Sequence, residues 1–171
     1  RIEKNTFDRA YISQRASAGA LAKNVYIYDN TVGHGFGGIN IGGGVHNVSI
    51  MGNTVNNVTI PISVGACGNI NISDNTVTTR ATGGSCRGVL ISQSDNNTVS
   101  NNVMHVNATS SGRGIDITQG DNNNIINNVI NSYATSESGL YLSASDSNTV
   151  TGNVMNAYSV ANGIFVSSDS N

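Results

Sequence analysis

Apolar and polar positions alternate along this chain in short runs, and the runs recur. One line of the recurrence is an aliphatic residue, two spacers, an asparagine, one spacer and an apolar residue: "IEKNTF", "IYDNTV", "IMGNTV", "ISDNTV", "VSNNVM", "IINNVI" and "VTGNVM". Its asparagines are Asn5, Asn30, Asn53, Asn75, Asn102, Asn128 and Asn153, spaced 22 to 27 residues apart. A second line reads "GGINIG", "IPISVG", "RGVLIS", "RGIDIT", "SGLYLS" and "NGIFVS", with apolar residues at every other position. That period of two is the mark of a strand with one face inward. A third line sets Asn24, Asn47, Asn69, Asn97, Asn123, Asn148 and Asn171 ahead of the first. Each unit therefore reads as two or three short strands separated by corners rich in Asn and Gly.

A unit of this length cannot bury its own apolar face, so copies must stack, strand on strand about 4.8 Å apart. The expectation is an all-β, parallel β-solenoid of about seven rungs, forming one domain over residues 1–171. Ile39 and Ile41, Ile62 and Val64, Val89 and Ile91, Ile115 and Ile117, Leu140 and Leu142, and Ile164 and Val166 should form internal stacks. Asparagine suits the corners, because it tolerates left-handed backbone and its amide can bond the copies on either side. The chain starts inside one motif and stops in mid-rung, and so reads as a piece of a longer protein with uncapped ends.

Composition narrows the function. Charged residues are 11% of the 171, and the net charge is −2, so the basic footprint of a nucleic-acid binder is missing. No run approaches the ~20 apolar residues of a membrane span. Cys67 follows its strand by a few residues and Cys86 precedes the next one, so they fall at different points of the rung and should stay unpaired.

The repeat resembles the right-handed parallel β-helix superfamily, the pectin-lyase-like fold, over essentially the whole chain. The resemblance implies an extracellular, cell-surface or virion location and a polysaccharide partner, with a depolymerase of phage-tailspike type as the enzymatic version. "GHGFGGINIGGGVHNVSI" is similar to the Gly-His-Gly segment of polygalacturonases, which would make His34 a catalytic-site histidine. The acidic pairs and the basic Arg-Ile-Lys strand of that family have no counterpart here: the preceding rung offers only Asp8, and the following strand is "PISVGA". Cleaving a glycosidic bond takes two carboxyl groups.

Outward positions of the second line are Asn40, Ser63, Leu90, Asp116, Tyr141 and Phe165, with Arg87 and Arg113 in a neighbouring column. Arg87, Arg113, Asp116, Tyr141 and Phe165 are the expected ligand-binding set, and Asp116 joins His34 as a candidate catalytic residue. The competing reading is a solvated face with an internal Arg–Asp pair worth little at the surface. Asp95, Asp121, Asp146 and Asp169 form a column that suggests calcium, but an Asp capping its own turn explains it without a metal; no metal or cofactor is expected. Residues following the motif asparagines run Thr6, Thr31, Thr54, Thr76, Val103, Val129 and Val154. Such a strip suggests a covering partner, in a tailspike-like protein a homotrimer, and its threonines also suggest an ice-binding solenoid. A structural or adhesive shaft is the main alternative to polysaccharide recognition.

Overall fold

The computed structural model describes residues 1–16, 22–34, 37–80, 84–136, 139–158 and 163–167. These residues form three parallel sheets of seven strands each, and successive strands of one sheet are one rung apart in the chain. The first sheet holds strands such as Ala22–Tyr28 and Val45–Met51, and the second holds Thr54–Val58 and Val103–Val106. The third is built from Ile12–Arg15, Ile39–Gly42, Ile62–Gly65, Cys86–Ser92, Gly112–Thr118, Leu140–Ser143 and Ile164–Ser167. The chain is a right-handed parallel β-helix, as the repeat predicts.

Alternation decides what lies inside. Ile39 stacks on Ile62, Ile62 on Val89, Val89 on Ile115 and Ile115 on Leu140, with Ile41, Val64, Ile91, Ile117 and Leu142 stacked beside them. All are buried, and each fully buried aliphatic side chain of this kind is worth about 1.5–3 kcal/mol of transfer free energy. Ile164 and Val166 continue the same columns but are exposed, because no described rung covers them. The Thr-to-Val strip runs up the outer face of the second sheet, with Val103 and Val154 exposed.

The motif asparagines form an unbroken ladder between the first and second sheets. Each one's Oδ1 accepts from the main-chain N–H and the side-chain amide of the asparagine one rung before, from Asn5–Asn30 through Asn128–Asn153. Two corrections to the sequence reading concern asparagine. Left-handed backbone belongs to the residue preceding each ladder Asn, namely Lys4, Asp29, Gly52, Asp74, Asn101, Asn127 and Gly152, rather than to the ladder residue itself. That preceding residue turns the chain, and the Asn then points its amide inward.

The third asparagine line is really two columns. Asn24, Asn47 and Asn69 have positive φ, and their structural equivalents are Asn96, Asn122 and Ser147. Asn97, Asn123 and Asn148 sit one residue later and make a second inward ladder, Asn97 N to Asn123 Oδ1 at 2.9 Å and Asn123 N to Asn148 Oδ1 at 2.8 Å. In the earlier rungs that inward place belongs to the aliphatics Val25, Val48 and Ile70. Doubled asparagines in "DNN" hide the one-residue offset. Asn171 and Asp169 lie outside the described residues.

Candidate functional site

The outer face of the third sheet brings the expected ligand-binding residues together. Leu90 is beside Asp116, Asp116 beside Tyr141 and Tyr141 beside Phe165 on successive rungs, and Arg87 is beside Arg113. Glycines make this close stacking possible: a Cβ on Gly114 would stand 2.6 Å from the Gly139 carbonyl oxygen and 2.3 Å from Ile130 Cγ2. The rungs can meet there only without a side chain.

Asp116 is the hub of this array. Its Oδ2 accepts from Arg87 Nε and, at 2.8 Å, from Arg113 Nη1, while Oδ1 accepts from Thr118 Oγ1 at 3.1 Å. The carboxylate is 1% exposed, so the pair is not the solvated surface bridge that the strand pattern allows. Its two arginine partners are themselves only 31% and 17% exposed. Arg113 also lies over the Tyr141 ring, its Cζ 3.5 Å from the centroid, and Phe165 stacks on Tyr141 with centroids 5.2 Å apart. Arg113 and Phe165 come from the rungs on either side of Tyr141, so the ring is sandwiched. A ligand meets its edge and hydroxyl, together with the outward face of Phe165.

His34 stands apart from this array, on the corner between the second and third sheets. Its Nδ1 is 3.1 Å from Asp8 Oδ1, and its Nε2 is 3.5 Å from Asn57 Nδ2. Imidazole and carboxylate are both well exposed. Arg9, His34 and Asn57 share a left-handed backbone, with φ of 56°, 57° and 56°; the corner takes this conformation in these three rungs. Asp8 is the one carboxylate in contact with His34 among the described residues. Gly35 and Phe36 of the resembling segment lie outside them.

The aspartates of the column bond from rung to rung rather than capping their own turns. Asp95 Oδ1 accepts from the Asp121 N–H at 2.8 Å, and Asp121 Oδ1 accepts from the Asp146 N–H at 2.7 Å. The carboxylates of Asp95 and Asp121 thus serve the backbone of the next rung. Both cysteines are buried and free. Burial pushes both thiols above the usual range, against the lowering effect of a backbone hydrogen bond at Cys67 and of the Thr79 hydroxyl at Cys86.

Sequence reasoning missed a groove on this face. A groove of about 980 Å³ crosses the first rungs of the third sheet, lined by Arg9, Tyr11, Arg15, Asn40, Thr59 and Ser63 among others. Gly42 and Gly65 leave the floor beside Arg15 flat. The available signal was the alignment of Ser13 and Arg15 with Asn40 and Gly42, which puts the "YISQR" segment on the same face as "GGINIG".

The chain belongs to the NosD family: it matches the family described as "Periplasmic copper-binding protein (NosD)" over residues 1–171. The match does not show a tailspike or polygalacturonase subtype. No curated protein and no solved structure matches the chain.

Proposed function

We propose that this chain is a rigid β-helix of the cell envelope that holds polysaccharide on the outer face of its third sheet without cutting it. The observation that carries this reading is the open groove of about 980 Å³, floored by Ser13, Asn40 and Ser63 and walled by the exposed ring of Tyr11. An exposed aromatic beside short hydroxyl and amide side chains offers a sugar an apolar face and hydrogen bonds together. The family's description as periplasmic supports an envelope location.

Two-carboxylate chemistry needs an acid and a base or nucleophile facing one bond. Asp116 is the sole carboxylate among the third-sheet strands, and two guanidiniums and a hydroxyl hold it.

The family's description names copper. Copper favours imidazole, thiolate and thioether ligands gathered on one centre. Among the described residues no three His, Cys, Asp or Glu side chains gather so. His34 is on a corner and His105 on the second sheet, while Cys67 is buried with its thiol bonded to the Gly65 carbonyl at 3.0 Å. The residues do not fit a resident copper.

The test is to incubate the full-length protein with a panel of acidic and neutral surface polysaccharides, following co-sedimentation and chain length. Binding of at least one polymer with no new chain ends is the expected result. New reducing or unsaturated ends would overturn the non-cleaving reading, and no binding to any polymer would make the β-helix a structural shaft.

A further inference from the structure

The arginines of the third-sheet face divide into two kinds. Arg87 and Arg113 are neutralised by a shared buried carboxylate. Arg9 and Arg15, at the other end of the same face, form no ion pair with any described carboxylate, although other basic residues such as Arg1 do. They stand on opposite sides of the groove: Arg9 on the corner before the strand Ile12–Arg15, and Arg15 at its end. A protein whose charged residues are only 11% of the chain thus turns toward one open cleft two guanidiniums that pair with no described carboxylate.

The backbone reinforces the arrangement. Arg9 adopts φ of 56°, a left-handed conformation that disfavours a side chain, and its N–H is held by the Gly33 carbonyl at 2.9 Å. The turn fixes where Arg9 leaves the corner. Across the groove Arg15 is beside Gly42 and then Gly65, so no side chain from the next two rungs screens it. Between them lie Ser13, Asn40 and Ser63, which are neutral hydrogen-bonding groups, and Tyr11, 64% exposed.

Resting on the carbohydrate reading above, we infer that this groove selects acidic oligosaccharides, with Arg9 and Arg15 each receiving a sugar carboxylate and Tyr11 receiving a ring face. Guanidinium is suited to this, because its planar fork donates two parallel hydrogen bonds to a carboxylate. The neutral floor takes the hydroxyls. Recognition is therefore placed at the opposite end of the sheet from Tyr141 and Phe165, whose rings already pack on Arg113 and on each other.

The experiment is calorimetric titration of the full chain with a galacturonate tetrasaccharide, its methyl ester, a mannuronate tetrasaccharide and a neutral glucose tetrasaccharide. The acidic forms should bind at least about ten-fold more tightly than the ester or the neutral sugar, a preference that shrinks as salt is raised. An Arg9→Ala/Arg15→Ala double variant should lose that preference, whereas Lys23→Ala, an exposed cation on the first sheet, should keep it. A melting curve matching the parent's is expected for the double variant, since neither guanidinium pairs with a described carboxylate. Equal binding of acid and ester, or an unchanged double variant, would overturn the inference while leaving polysaccharide recognition intact. Failure of every sugar here and every polymer in the panel would remove both.

Discussion

The main-chain N–H and the side-chain amide of Asn75 end on one atom, Oδ1 of Asn102, at 3.0 and 2.9 Å. Asn102 in turn donates to Asn128 Oδ1, the Ile72 carbonyl and the Ser100 carbonyl, each within 3.0 Å. One buried amide therefore ties its own turn to the rungs on both sides. This satisfies donors and acceptors that the tight corner would otherwise bury unpaired.

Asn102→Ala should accordingly be among the most damaging single changes in the chain. Each buried polar group left without a partner costs about 1–3 kcal/mol, and several lose one at once, so a loss of about 3 kcal/mol or more is expected from urea unfolding. Asn5→Ala removes the same side chain from an exposed position and should cost about 1 kcal/mol or less. Equal costs at the two sites would mean that the ladder does not stabilise through burial.

Asp116 should prove structural. Removing one partner of a buried ion pair costs about 3–5 kcal/mol, because the remaining charge stays buried and unpaired. Here Asp116→Ala leaves Arg87 and Arg113 facing each other without an anion. We expect a drop of about 3 kcal/mol in unfolding free energy, and no change in polymer chain length when the variant and the parent are compared on any polysaccharide. A variant as stable as the parent would show that the two guanidiniums are satisfied by solvent.

Much of this was legible in the sequence, and the reasons differ by feature. The fold was, because a rung repeats its inward alternation in each unit: Ile39, Ile62, Val89 and Ile115 are found by spacing alone, and their stacking follows. The Arg87–Asp116–Arg113–Tyr141–Phe165 column was legible for the same reason, since side chains at equivalent places must be neighbours. What could not be read was depth. Whether Asp116 is solvated depends on how far it and its arginine partners are buried, and alternation is silent on that. The groove was missed because Arg9, Tyr11 and Arg15 share no motif; they meet only once "YISQR" is aligned under "GGINIG". The split asparagine line failed where one repeated letter, the Asn of "DNN", fits two adjacent positions.

The glycine column gives a sharp contrast. Gly114→Ala puts a methyl group within 2.6 Å of a main-chain oxygen and 2.3 Å of Ile130 Cγ2, whereas a Cβ on Gly163 meets nothing within 4 Å. Overpacking of this sort costs about 1–3 kcal/mol or more, and here the obstacle is backbone that is hydrogen-bonded into the next rung. Gly114→Ala should lower the melting temperature by several degrees, on the order of 4 °C or more, and Gly163→Ala should leave it unchanged. A stable Gly114→Ala chain would mean that the rungs can separate locally at little cost.

The thiols connect packing to pH. Burial raises both Cys67 and Cys86, from an unfolded value of about 8.5. The folded state therefore holds these two protons more tightly than the unfolded state does. Sign and window follow: the contribution to stability is complete below about pH 8.5, then declines as pH rises toward and through the folded values. Urea midpoints of the parent should fall between neutral pH and the alkaline range, and a Cys67→Ala/Cys86→Ala variant should show a smaller fall over the same span, whatever its stability at neutral pH. At pH 8 neither thiol should react with a soluble disulfide reagent until the chain is unfolded, because the thiolate is the reactive form. Prompt labelling of the native protein would show that the rungs around Cys67 or Cys86 open readily, and an unchanged alkaline slope in the double variant would assign the decline to other groups.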